Sequence, residues 1–140
     1  VRALLLSPDG ATLFALNTPD ARVEVYDTGA DTPTGLRHRG SIFTGLEPVS
    51  MALHPEDPGL LFVANLLSDS VSVIDVVKHK HVATIPVGDE PQYVLVAEGK
   101  LFVATARAPR APGLDPRAGF VDNAVVIASA DAPYDILYRV

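Results

Sequence analysis

The sequence of 140 residues contains no cysteine. This absence excludes disulfide bonds, thiolate metal sites, a cysteine nucleophile and cysteine-linked haem within the segment. Basic side chains are also few: 11 Lys and Arg stand against 17 Asp and Glu, which gives a formal net charge of −6. A nucleic-acid-binding surface needs clustered Lys and Arg. We therefore expect no nucleic acid among the partners.

Long hydrophobic runs and catalytic motifs are missing as well. No stretch reaches the roughly 18 apolar residues of a membrane span, so we predict no membrane insertion by this segment. The sequence has no G-x-S-x-G elbow, no G-x-G-x-x-G and no P-loop. His79 and His81 are two residues apart, but no third ligand accompanies them. We predict no catalytic residue, no metal and no cofactor here.

What the sequence does contain is one pattern that occurs three times, in residues 6–17, 53–65 and 95–105. Phe14, Phe62 and Phe102 mark the same position in each copy, 48 and 40 residues apart. Repeats of this length, built from short strands and Gly/Pro turns such as residues 7–10, are typical of propeller blades. No sustained 3.6-residue apolar period is present, which predicts essentially no helix.

Each copy changes from apolar to polar along its length. Two continuous apolar segments come first, an alternating segment such as 71–74 follows, and a mixed segment such as 81–87 comes last. Continuous apolar runs suit strands covered on both faces. We predict an all-β fold of about eleven strands in three radial four-stranded antiparallel sheets, with the first strand innermost.

The copies divide the chain into blades at 1–43, 44–87 and 88–140, and the third blade carries an insertion over 106–122. A closed propeller has about 4–8 blades. Three blades therefore form a partial ring, and we interpret the chain as a piece of a longer protein whose remaining blades close that ring.

Three segments of the second copy carry a family resemblance: Phe62-Val-Ala-Asn65, Ser70-Val-Ser-Val-Ile-Asp75 and Val82-Ala-Thr-Ile-Pro-Val-Gly88. They resemble the YVTN-type β-propeller repeat. The resemblance implies a propeller of seven blades, often bacterial or archaeal and exported, sometimes fused to a cytochrome-like domain. It places the protein outside the cytoplasm, in the periplasm or at the cell surface. It implies no single activity, because fold does not determine function.

Strand direction alternates, so the loops after each second strand and the loops between blades share one face. The candidate contact residues on that face are Glu47, Glu90, Asn65, Arg107, Arg110 and Arg117. The two glutamates suit a cation or a basic ligand, and the arginines suit an anionic group. For each of them a purely structural role is the alternative: loop shaping for the glutamates, a turn for Asn65, a solvated loop for the arginines.

These residues predict a binding or scaffold module that presents its loop face to a partner protein or a fused domain. The alternative is a segment of a propeller enzyme, lactonase-like or quinoprotein dehydrogenase-like, or of an electron-transfer fusion with a cytochrome-like domain. An enzyme would need convergent polar or metal-binding residues from several blades. The residues present do not favour it.

Overall fold

The computed structural model describes residues 2–108 and 121–140, and in these ranges the chain forms twelve strands and no helix. The strands make three four-stranded antiparallel sheets, each in chain order. The first sheet contains β1 (Leu4–Leu6), β2 (Thr12–Asn17), β3 (Arg22–Thr28) and β4 (Leu36–Phe43). The second contains β5 (Pro48–Leu53), β6 (Leu60–Asn65), β7 (Ser70–Asp75) and β8 (Lys80–Pro86). The third contains β9 (Pro91–Ala97), β10 (Lys100–Ala108), β11 (Val121–Ser129) and β12 (Ile136–Arg139). The predicted fold class is confirmed.

The three phenylalanines occupy the same position in their sheets. Phe14 pairs with Leu5 and Val25, Phe62 pairs with Ala52 and Val73, and Phe102 pairs with Leu95 and Ile127. Since side chains alternate between the faces of a strand, all three phenylalanines point to the same side of their sheets; the next sheet covers that side for Phe14 and Phe62, and it is open for Phe102. The repeated phenylalanine of the sequence therefore has the same place in the strand pairing of each sheet.

Two hydrophobic cores join the sheets, one on each face of the second sheet. Leu61 and Val63 of β6 pack toward the first sheet, whereas Phe62 and Ala64 pack toward the third. This two-sided burial explains why β6 is continuously apolar rather than alternating. The core between the first two sheets contains Phe14, Val23, Val25, Ile42, Met51, Leu61, Val63 and Ile74.

The first strands of successive sheets contact each other. β1 packs against β5, β5 packs against β9, and Arg2 forms a parallel bridge with Ser50. In the second sheet β7 is buried almost throughout, whereas β8 has Ile85 as its one buried residue. The predicted change from buried first strands to exposed fourth strands is therefore present in the second sheet.

The outer sheets each leave one apolar face uncovered. On the first sheet, Leu4 is 63% exposed and Leu6 is 54% exposed. On the third sheet, Leu95 is 56% exposed beside the half-buried Phe102, on the face that corresponds to the covered face of the second sheet. Burial in this chain thus depends on a neighbouring sheet.

Two local predictions can be compared with the backbone. The turn at residues 7–10 forms as expected, since the N–H of Gly10 donates to the carbonyl of Ser7 at 2.8 Å. The insertion is shorter than predicted: β10 continues to Ala108 and β11 begins at Val121, so two more residue pairs join the ladder. Residues 109–120 lie outside the described part of the chain. The fourth strand of the third sheet, β12, raises the strand number to twelve in the described ranges.

Candidate binding face

The loops that follow each second strand meet the loops that connect the sheets. We call this surface the connecting face and define it as residues 18–21, 44–47, 66–69 and 87–90. A hollow of about 380 Å³ lies on it between the first and second sheets. Its walls are Thr18, Pro19, Ala21, Leu46, Glu47 and Leu67. Glu47 therefore lies among the loops of one face, at the edge of this hollow.

Glu47 and Glu90 share a backbone geometry. Their φ angles are 55° and 53°, and each residue precedes the proline that begins a first strand. The carbonyl of Glu47 accepts from the N–H of Leu66 at 2.9 Å, and the carbonyl of Glu90 accepts from the N–H of Ala106 at 3.1 Å. Glu47 is half-buried and Glu90 is exposed. Their backbones hold the loops, which leaves both carboxylates at the surface.

Asn65 is fully buried beneath the first connection between sheets. Its Nδ2 donates to Ser72 Oγ at 2.9 Å and to Ser70 Oγ at 3.2 Å. Ser72 Oγ also accepts from the N–H of Gly45 at 3.1 Å, and Ser68 Oγ accepts from the N–H of Leu46 at 2.9 Å. The asparagine and the serines together hold the connection against the second sheet. A contact between Asn65 and a ligand stays a prediction.

Gly45 allows this close approach. A Cβ on residue 45 would meet Ser68 Oγ at less than contact distance and Asn65 Nδ2 at 2.7 Å. Here glycine is required by space, because its backbone presses directly on the polar side chains below. The network and the glycine together make the connection rigid.

Each of the two connections between sheets, at 44–47 and 87–90, also forms backbone hydrogen bonds with the sheet that precedes it. The N–H of Thr44 donates to the carbonyl of Ala21 at 2.9 Å, and the N–H of Val87 donates to the carbonyl of Asp69 at 3.1 Å. The Asp69 carboxylate also accepts from the N–H of Glu90 at 3.0 Å. Each connection is thus fixed to the second-to-third-strand turn of the sheet that it leaves.

Two apolar side chains stand out on this face. Leu46 is 60% exposed and Leu67 is 62% exposed, and both line the hollow that contains Glu47. Sequence reasoning missed both leucines, although a leucine in a polar loop is itself a signal. The two leucines lie on adjacent loops, since the N–H of Leu67 donates to the carbonyl of Leu46 at 3.3 Å.

The predicted arginines are only partly described. Arg107 lies on β10, where its backbone pairs with Asp122. Arg110 and Arg117 lie outside the described residues. The connecting face therefore brings Glu47 and Glu90 to one side of the molecule, and the roles of the three arginines stay predictions.

A charged cluster on the open face of the first sheet was also missed by sequence reasoning. Glu24 accepts from Ser41 Oγ, lies 2.8 Å from His38 Nε2 and accepts from Asn17 Nδ2 at 3.2 Å. The Ser41 hydroxyl is the main cause of a lowered pKa for Glu24, with Asn17 and His38 acting in the same direction against the effect of burial. The cluster keeps Glu24 ionised.

Within residues 2–108 and 121–140, no group of three or more His, Asp or Glu side chains is placed to hold a metal ion. The same part of the chain has no helix with the length and apolar character needed to cross a membrane.

No protein-family model matches this sequence, and no curated protein matches it. Solved structures do match. A chain of hydrazine synthase from Kuenenia stuttgartiensis is 25% identical with a TM-score of 0.76, over 97% of this chain and 34% of that one. A putative 6-phosphogluconolactonase from Bacteroides uniformis is 13% identical with a TM-score of 0.72, over 99% of this chain and 39% of that one.

The apo form of AztD from Citrobacter koseri is 15% identical with a TM-score of 0.68, over 98% of this chain and 33% of that one. These neighbours are β-propeller-like proteins, and the chain spans about a third of the length of each. The three sheets described above are therefore propeller blades.

Proposed function

We propose that this chain is part of a YVTN-type propeller that acts as a binding or scaffold module, with the connecting face as its contact surface for a partner protein or a fused domain. The observation that carries the proposal is the pair of exposed leucines, Leu46 and Leu67, beside Glu47 in an open hollow. Neither leucine contributes to the two cores between the sheets.

The rigidity of the surrounding loops supports this proposal. The connection at 44–47 is held by Ser68 and Ser72 below and by Ala21 beside it. Binding residues concentrate on loops that a rigid scaffold positions. A preorganised loop also loses less conformational entropy when a partner binds.

The start of the insertion supports a contact surface on the same side. The N–H of Ala106 donates to the carbonyl of Glu90, so the chain enters the insertion directly beside the connecting face. We propose that Arg107, Arg110 and Arg117 contribute charged contacts there, because a guanidinium suits carboxylate groups of a partner. We also propose an extracytoplasmic location, which fractionation of cells expressing the full-length protein would test.

A second candidate is a propeller segment of an enzyme. The likeness to a chain of hydrazine synthase, at 25% identity, favours it over an unspecified propeller. In that case the connecting face would contact the catalytic domain or subunit. The sequence beyond these 140 residues discriminates further, since a C-x-x-C-H motif there would support an electron-transfer fusion with a cytochrome-like domain.

The test is site-specific photo-cross-linking in cells that express the full-length protein. The cross-linker replaces Leu67, and in the control it replaces Val82, an exposed residue on β8 that does not line the hollow. We expect position 67 to form a defined cross-link to another domain or protein. Leu46→Ser, or replacement of residues 108–119 by a short glycine linker, should reduce its yield. Equal yields from positions 67 and 82 would overturn the proposal.

A further inference from the structure

The hollow on the connecting face combines an exposed apolar surface with a carboxylate. Leu46 and Leu67 line it from adjacent loops, and Pro19 adds a third apolar side chain. Glu47 belongs to the same lining and is half-buried. Covering the apolar surface is favourable, whereas covering a carboxylate removes its hydration. An occupant of the hollow therefore has to suit both kinds of side chain.

Two other polar groups of the lining already pair within the chain. The hydroxyl of Thr18 donates to the carbonyl of Pro48 at 2.9 Å. The carbonyl of Leu46 accepts from the N–H of Leu67 at 3.3 Å. The carboxylate of Glu47, in contrast, forms neither a hydrogen bond nor an ion pair with any residue that the structure describes. It is the polar group that an occupant would have to satisfy.

The charge around the hollow is negative. Arg22 follows the loop at 18–21, but its Nη2 lies 3.1 Å from Asp20 Oδ2 and its Nε lies 3.7 Å from Glu24 Oε1. This guanidinium is therefore already engaged by two carboxylates. The four loops of the connecting face contain five acidic residues and no lysine or arginine: Asp20, Glu47, Asp69, Asp89 and Glu90.

Backbone donors beside the carboxylate are also in use. The N–H of Leu46 donates to Ser68 Oγ at 2.9 Å, and the N–H of Leu66 donates to the carbonyl of Glu47 at 2.9 Å. These bonds hold the backbone of Glu47 next to the leucines. A carboxylate that loses its water needs a cation or several donors in return. Whatever covers the leucines must therefore bring that positive charge with it.

We infer that the partner of the connecting face presents an apolar side chain next to a lysine or an arginine. The apolar side chain packs on Leu46 and Leu67, and the cation pairs with Glu47. Arginine suits this position better than lysine, because a guanidinium can donate two parallel hydrogen bonds to one carboxylate. The inference rests on the function proposed above, since it specifies the chemistry of the partner at the same surface.

The test adds substitutions of Glu47 to the full-length protein that carries the cross-linker at position 67. Glu47→Lys should reduce the yield of the cross-link about tenfold, because two like charges then meet at the interface. Glu47→Gln should reduce it about two- to fivefold, as expected for a partly exposed ion pair. Glu56→Lys, at an exposed turn residue that does not line the hollow, is the matched control and should leave the yield unchanged. Thermal unfolding followed by circular dichroism checks that each variant is folded.

An exchange of charges then identifies the cation. Mass spectrometry of the cross-linked product locates the partner segment, and the lysine or arginine beside the cross-linked residue is replaced by glutamate. This replacement should lower the yield with the wild-type chain and restore it with Glu47→Lys, since the two charges are then exchanged. The partner substitution by itself tests the inference if Glu47→Lys does not fold.

The outcomes separate the two proposals. A cross-link from position 67 that neither Glu47→Lys nor the partner substitution weakens overturns this inference and leaves the proposed function standing. So does a partner segment without lysine or arginine beside the cross-linked residue. Equal cross-linking from positions 67 and 82 overturns the proposed function and this inference with it.

Discussion

On the connecting face, the backbone of a residue can stabilise a loop while its side chain forms part of the surface. Glu47 has a left-handed backbone with a φ of 55°, which side chains other than glycine adopt infrequently. Its carbonyl accepts a hydrogen bond from the N–H of Leu66, while its carboxylate lies at the edge of the hollow. The two roles can be separated by substitution.

We expect Glu47→Gly to leave the free energy of unfolding within about 1 kcal/mol, because relief of the left-handed backbone offsets the greater entropy of an unfolded glycine. Glu47→Val should cost about 1–2 kcal/mol more, since a β-branched residue fits this backbone poorly. Urea unfolding of both variants checks this. A large loss of stability in Glu47→Gly would mean that the carboxylate itself holds the loop.

Asn65 and Asn17 end equivalent strands in different surroundings. Asn65 is buried on Ser70 and Ser72, whereas Asn17 is half-buried and donates to Asp20 and Glu24. We expect Asn65→Ala to cost about 2–3 kcal/mol, because it leaves buried hydroxyl groups without their partner. Asn17→Ala should cost under about 1 kcal/mol, since water can replace its bonds. Equal costs in denaturant unfolding would contradict the buried network.

Glu24 makes the stability of the first sheet depend on pH. Its pKa in the folded chain is lowered from the ordinary glutamate value of 4.5, first of all by the Ser41 hydroxyl. A lowered folded pKa contributes stability that is fully present above the ordinary value and is lost as pH falls through the folded value.

The wild-type chain should therefore lose more unfolding free energy than Glu24→Gln when pH is lowered from about 6 to about 3. Urea unfolding at both pH values measures the difference. Glu56→Gln, at an exposed turn residue, is the control and should follow the wild type. Parallel curves for wild type and Glu24→Gln would show that Glu24 contributes nothing to the acid sensitivity.

At the scale of the strand, the second strands β6 and β10 have similar apolar sequences but are buried to different degrees, because a neighbouring sheet covers both faces of β6 and only one face of β10. Phe62 of β6 lies between two sheets and is fully buried, whereas Phe102 of β10 lies on an open face and is half-buried. We expect Phe62→Ala to cost about 3–5 kcal/mol, as for a fully buried aromatic side chain. Phe102→Ala should cost much less in this chain, and equal losses in urea unfolding would contradict the assignment of the open face.

The strands could be predicted well from the sequence because the apolar segments that form them recur in each copy. The apolar run at 60–64 appears again at 101–104, and the structure places both as second strands with the same register. The extension of β10 to Ala108 was not predicted, since backbone pairing continued through residues with no apolar pattern.

The hollow on the connecting face and the buried network around Asn65 could not be predicted from the sequence. Asn65 has the sequence context of a turn residue, and its burial depends on Gly45, which lies twenty residues earlier. Features of this kind arise from contacts between sheets, whereas sequence patterns report the periodicity within a strand.

At the scale of the whole molecule, the three blades form an arc with an uncovered apolar face at each end. The open face of the third sheet, with Leu95, Phe102 and Val125, corresponds to the face of the second sheet that the third sheet covers. An exposed apolar face of this kind favours association. We therefore expect a further sheet to cover the open face of the third sheet, so that the three blades form part of a ring.

Sedimentation velocity of the 140-residue chain tests that claim most directly. We expect concentration-dependent oligomers of the wild-type chain. Leu95→Lys combined with Phe102→Lys should shift it to a monomer, because charges on the open face prevent a second sheet from covering it. Circular dichroism should show the same β content in both proteins. A wild-type chain that sediments as a monomer at every concentration and unfolds cooperatively would contradict the partial ring.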